Sequence, residues 1–160
     1  MIKNITIRRT INPEYGYDDI NELRADTLQH IHDVSKIMGC IGCEVIERGY
    51  SHDWSKLGYF TNFANDTLER QDTPDFKSRN WYKIHTSLER HHINANVPEN
   101  VNLIDILECI VDCIVAGKAR TGMVDKEFLI IPDEVILLSY WNTVNLLIDN
   151  VLLEEEEDED

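Results

Sequence analysis

Along this chain, apolar residues recur at three- and four-residue steps over long stretches, broken by short polar segments that hold all four prolines. That step marks one buried helix face. From Asp18 or Asp19, either of which suits an N-cap, Ile20, Leu23, Ile31, Val34, Met38, Ile41 and Val45 share such a face with Thr27 in register. They predict a first helix that Gly39 and Gly42 loosen and Gly49 ends. Ser51 then caps a shorter helix to about Asn65. Pro74, preceded by the capping candidates Asp72 and Thr73, sits at the first turn of a helix carrying "DFKSRNWYKIHTSLERHH". Beyond Pro98, Asn100 or Asn102 caps "LIDILECIVDCIVAGKAR", with Gly117 as a weak point, and Asp133 caps a last helix, "EVILLSYWNTVNLLIDNVLL". Ile5 and Ile7 alternate like a short strand, but no partner strand stands out. The expectation is an all-α, single-domain helical bundle of about five to seven helices over residues 18–153. An extended segment precedes it at 1–17, and an acidic, disordered tail follows at 154–160.

Composition narrows the partners. With 160 residues and 42% hydrophobic content, the chain can bury one core and is too short for two ordinary domains. Its net charge is −15, nearly half of it from the seven acidic residues of the tail. An acidic surface without clustered Lys and Arg argues against binding to duplex nucleic acid. "MIKNITIRRT" lacks the apolar stretch of a signal peptide, and no apolar run reaches the roughly 18 residues of a spanning helix. The expectation is therefore a cytoplasmic protein with no membrane contact. Cys40 and Cys43 form one C-x-x-C, and Cys109 and Cys113 lie one helical turn apart. Two such pairs allow a four-thiolate zinc site, but the second pair sits in an apolar helical pattern where a reduced cysteine behaves as a small core residue.

Two features carry chemistry. Asp105, Glu108 and Asp112 form one carboxylate stripe on a helix whose Ile104, Leu107, Val111, Ile114 and Val115 ask for burial. The stripe fits a solvated edge, or buried carboxylates that need a cation. Histidines supply the second feature, at positions 30, 32, 52, 85, 91 and 92. His85 and His92 lie nearly in line on the helix after Pro74, whereas His91 points about 120° away and joins them only if the helix frays near its end. His52 and Asp53 follow Gly49 at a helix start, where one rigid turn presents both, and imidazole with carboxylate suits Mn²⁺, Fe²⁺, Co²⁺ or Zn²⁺.

The order His32, then His52-Asp53, then histidines at 85, 91 and 92, then Asp112, on successive helices, resembles the HD-domain metal-dependent phosphohydrolases. "SHDWSKL" and "RHHINANVPENVNLIDILECIVDCIVAGKAR" are similar to a sparsely characterised HD-like family of phages and bacteria, over about residues 27–120. The resemblance implies an HD-like bundle in which His32, His52, Asp53 and Asp112 hold a first divalent ion (Mn, Fe, Co, Zn or Mg). Asp53 would bridge to a second ion. His85, His91 and His92 would bind that ion, or would contact the phosphate or leaving group. Lys56, after the HD pair, would face substrate phosphate. Trp54-Ser55 replaces the usual small residues after HD, and no glycine-rich signature of the cyclic-dinucleotide branch follows His92, which removes that branch.

The functional expectation is a hydrolase for a nucleotide or related small phosphoester. Asp53, Lys56, His85 and His92 would be its catalytic residues, and Lys56, Arg90, His91 and Arg120, with Lys118 beside them, would bind substrate. Asp33 and Glu108 are candidates to orient ligating imidazoles. The alternative is an inactive nucleotide- or metal-binding module that recognises a basic partner protein, as the charge suggests. The wide apolar coverage of the last helix also suits a homodimer contact. If the chain is phage-encoded, its compartment is the host cytoplasm.

Overall fold

The helical periodicity is realised, and helices make up nearly all of the regular structure. The computed structural model describes residues 2–11, 16–68, 76–124 and 126–154. Among them the order is β1 (Ile5–Ile7), α1 (Ile20–Ser51), α2 (Trp54–Gly58), α3 (Phe60–Leu68), α4 (Asn80–Leu88), α5 (Leu103–Thr121), α6 (Asp133–Asn150) and β2 (Val151–Leu153). Two 3-10 turns occupy Phe76–Ser78 and Lys126–Leu129. Pro74 with its capping candidates, and all but Glu154 of the acidic tail, lie outside the described residues. No helix among the described residues is long and apolar enough to cross a membrane.

The chain divides into two compact units, residues 1–46 with 144–160, and residues 47–143. In the first, β1 and β2 pair in parallel with Ile5 opposite Val151 and Ile7 opposite Leu153. The sequence pattern carried the last helix through Leu153, but α6 stops at Asn150 and β-branched Val151 begins the strand that β1 lacked. Ile5 is buried, and the Lys36 ammonium donates to the Thr6 carbonyl across 2.8 Å. A second departure concerns α1, which passes through Gly39, Gly42 and Gly49 without a break. Glycine costs only about 1 kcal/mol inside a helix, and three such positions do not stop one of this length.

In the second unit Ile93, Val101, Cys109, Ile131 and Val135 form the apolar core, with Ile106 and Cys113 packed against it. α5 enters this core through a reciprocal cap. The Asn102 side chain accepts from the Ile104 and Asp105 amides, and the Asp105 carboxylate accepts from the Asn102 amide at 2.9 Å. Gly122, at φ 72°, ends the helix. Burial, and next its neighbour Cys113, push the Cys109 thiol up to about 12, so it stays neutral as a core residue. Leu107, Val111 and Val115 of α5 and Leu137, Tyr140 and Trp141 of α6 remain exposed.

Candidate metal centre

The site lies within the second unit, and its residues gather where helices stop. α1 ends at Ser51, whose hydroxyl donates back to the Glu47 carbonyl at 2.9 Å, and His52-Asp53 makes the corner into α2. Asp53 has φ 60° and ψ 21°, a left-handed conformation that Asp tolerates better than most side chains. It stands at the N-cap of α2, yet its carboxylate caps nothing there. α4 similarly stops at Leu88, short of the "ERHH" that the periodicity placed on it. Glu89 is extended, a turn closed by the His92 amide on the Glu89 carbonyl at 3.4 Å carries His91, and a second turn, closed by the Asn96 amide on the His92 carbonyl at 2.9 Å, starts at His92. Asn94, Asn96 and Pro98 supply the turn chemistry that helical spacing does not register. His85, His91 and His92, which a straight helix would have spread apart, therefore meet.

Asp53 is the centre of the cluster. Its Oδ1 lies 3.2 Å from His85 Nε2 and 3.7 Å from His91 Nε2. Its Oδ2 lies 3.5 Å from His52 Nε2, which is itself 3.3 Å from Asp112 Oδ1. His92 Nε2 meets His85 Nε2 at 2.7 Å. Lys56 pairs with Asp53 Oδ2 at the rim. Each imidazole nitrogen facing Asp53 or its neighbours is thus an Nε2. The opposite nitrogens are tied outward: His52 Nδ1 lies 3.0 Å from Glu108 Oε1, and His85 Nδ1 lies 2.7 Å from the Ser55 hydroxyl. Ser55 is fixed in turn through its amide, which donates to Glu89 Oε1 at 2.8 Å.

These positions suit a divalent cation. Ligands about 2.0–2.2 Å from one ion stand roughly 3.0–3.4 Å from each other. Most of the Asp53 spacings fall in or near that range. His91 is 1% exposed and neither of its ring nitrogens has a hydrogen bond, and the buried Asp53 Oδ1 that faces it has none either. Buried polar atoms without partners are costly, and a cation between them would satisfy both. Three groups of ligand atoms lie close enough to hold an ion: Asp53 with His85, His91 and His92; His52 with Asp53 and Asp112; and His52 with His91 and Glu108. None of the groups among the described residues contains a cysteine, so the structure gives no support to a four-thiolate site.

The electrostatics agree. Burial alone would raise Asp53, but the neighbouring His85 and Lys56 outweigh it and hold the carboxyl well below the usual range. The same balance, struck by His52, His91 and Arg48 against burial, keeps Glu108 ionised. The His52 imidazolium is held up to about 10, by Asp112 first and Glu108 next. Burial, and then His91 and His85, push His92 down to about 3, so it is neutral.

The expected site residues divide accordingly. His52, Asp53, Lys56, His85, His91, His92 and Asp112 come together. His32 does not join them: it is exposed on α1 in the first unit and belongs to none of the three groups. Asp33 accepts from Gln29 at 3.0 Å. Arg90, expected on substrate, instead grips buried Asp105 through two nitrogens at 2.9 and 2.7 Å and the Asn100 carbonyl at 2.9 Å. Arg120 and Lys118 are exposed in the last turn of α5, about two turns beyond Asp112. Sequence reasoning missed Arg48, Ser55 and Glu89. Arg48 stands one helical turn before His52, the only local sign that it serves the same site.

The model of a family described as "Family of unknown function (DUF5662)" matches residues 19–134. No curated protein and no solved structure matches the chain.

Proposed function

The chain belongs to the DUF5662 family, and we propose that it is a metal-dependent phosphohydrolase, HD-like in its site, acting on a nucleotide or related small phosphoester. The observation that carries this reading is the convergence of the Nε2 atoms of His52, His85 and His91 on the two oxygens of Asp53, two of the facing atoms being buried and without hydrogen bonds. Because Oδ1 faces one group and Oδ2 the other, Asp53 has an oxygen for each of two ions, or both for one. Such an ion would supply a Lewis acid for a phosphoryl oxygen and a bound water that ionises near neutrality. The chain's own residues do the rest. Lys56 at the rim offers its ammonium to a phosphate oxygen. Neutral His92, beside His85, offers a lone pair to such an ion. A small cavity of about 10 Å³ lies beside the cluster, lined by Lys56, Tyr59, Phe63, Trp81 and His85. It has room for about one water molecule, so a substrate would meet the cluster from the Lys56 side rather than fill this cavity.

Phosphate release from a panel of ribo- and deoxynucleotides with Mn²⁺, compared between wild type and Asp53→Ala, tests the activity. Turnover lost in the variant is expected, and turnover equal in both would reject the assignment. A module that retains nucleotide without turnover is the second reading, favoured by the −15 charge as a surface for a basic partner. Tight binding with no product would select it. The exposed Leu137, Tyr140 and Trp141 of α6 support a homodimer, which a monomeric mass by light scattering would reject.

A further inference from the structure

Glu108 borders the cluster from the side opposite Asp53. Its Oε1 is hydrogen-bonded to His52 Nδ1 at 3.0 Å and lies 3.2 Å from His91 Nδ1 without the geometry of a hydrogen bond, so one oxygen is within reach of two imidazoles whose ring centres lie 4.3 Å apart at a 37° tilt. Its Oε2 accepts from Arg48 Nε at 2.7 Å. Arg48 also reaches Asp105 Oδ1 at 2.6 Å, and Asp105, which is fully buried, is held again by Arg90 and the Asn102 amide. Glu108 is thereby fixed on one oxygen by a guanidinium and left to receive imidazole protons on the other.

The same three residues, His52, His91 and Glu108, also form one of the groups close enough to ligate an ion. The two roles exclude each other, since a cation at Glu108 would take the Nδ1 atoms and a cation at Asp53 takes the Nε2 atoms. Charge decides between them. Arg48 lies 2.6 Å from Glu108 Oε2 and would repel a cation there, whereas on the other side His52 faces both Asp53 and Asp112.

We infer that Glu108 is not a ligand but the positioning residue of the metal centre, one carboxylate oxygen holding the Nδ1–H of His52 and, once a cation sits between His91 Nε2 and Asp53, that of His91 as well, so that both Nε2 atoms face Asp53. This rests on the metal reading above and gives it a specific outer structure: Arg48 orients Glu108, and Glu108 orients two imidazoles on different chain segments. Hydrogen-bonded outer partners of this kind typically change metal affinity by about 10–100-fold when removed.

Long-range ¹⁵N–¹H spectra of Zn²⁺-loaded wild type test it first. His52 and His91 should both carry their proton on Nδ1. Zn²⁺ titration should then show Glu108→Gln binding about 10–100-fold more weakly at unchanged stoichiometry, and X-ray absorption should show the same number of nitrogen neighbours as in wild type. Zn²⁺ bound to wild type through Nδ1 of either ring, or equal affinity in Glu108→Gln, would overturn the role of Glu108 alone. Wild type that binds no Zn²⁺ would overturn the metal reading and this role with it. Should the variant not fold, the wild-type spectrum decides by itself.

Discussion

His32 and His91 are the same residue type beside an ionisable neighbour, Asp33 in one case and His92 in the other, and they end in opposite environments. His32 lies in the middle of an unbroken helix and is exposed, while His91 sits on a turn just past the end of α4 and is 1% exposed. A helix interior sends each side chain outward at a fixed angle, so its residues reach a common point only in rows. Helix ends and turns free the backbone from that constraint. The corner at His52-Asp53 and the turn at His91-His92 exploit this, and the cost is visible in the left-handed backbone of Asp53. The lesson is that a constellation of ligands is assembled by where helices stop as much as by where they point.

The contrast can be broken or sharpened by substitution. The largest effect belongs to the scaffold of the buried side. Asp105→Ala would strand Arg48 and Arg90 without their shared carboxylate and is expected to cost about 3–5 kcal/mol in chemical denaturation. A loss under 1 kcal/mol would show that the arginines do not depend on it. Asp53→Ala removes the residue common to both groups around the centre and should lower Zn²⁺ affinity by more than about 100-fold, beyond the loss expected for an outer partner. Retained affinity would move the ion elsewhere.

Acidity gives a smaller, graded effect. His52 keeps its proton up to about 10 in the metal-free protein, and a ligating imidazole must be neutral. Metal binding near pH 7 therefore displaces that proton, and affinity should climb about tenfold per pH unit for each proton released. The sign for folding is the reverse. A pKa raised above the ordinary 6.5 stabilises the metal-free fold fully below 6.5, and that contribution is lost as pH rises toward 10. Melting temperature followed against pH, with and without Zn²⁺, checks both slopes, and a flat affinity profile would contradict the first. Smallest of all, His32→Ala should leave Zn²⁺ binding unchanged and stability within about 0.5 kcal/mol. A clear loss of metal would place His32 in the centre after all.

Much of the fold was legible because helical spacing is a local property. α5 and its cap followed from Asn102 and the apolar repeat, and α6 from Asp133 onward. The strand pair was not legible, since Ile5–Ile7 and Val151–Leu153 are brought together by chain ends that no local pattern connects. In the site, His52, Asp53 and Asp112 were visible as ligand types, and the union of His85, His91 and His92 hinged on a helix ending early. Helical phase alone placed His91 on another face. Arg48 could not be separated from an ordinary exposed helix charge, because its role comes from Glu108 and Asp105, some 60 residues away in sequence. The same remoteness hid Ser55, whose hydroxyl gains meaning only against His85.

Metal analysis of the purified wild-type protein after loading with Zn²⁺ or Mn²⁺ and exhaustive dialysis tests the central claim most directly, with the melting temperature read before and after chelator. One or two equivalents per chain, and a melting temperature that falls when they are removed, are expected of a centre built around Asp53. No retained metal and a melting temperature indifferent to chelator would contradict it, leaving the four imidazoles as packed side chains.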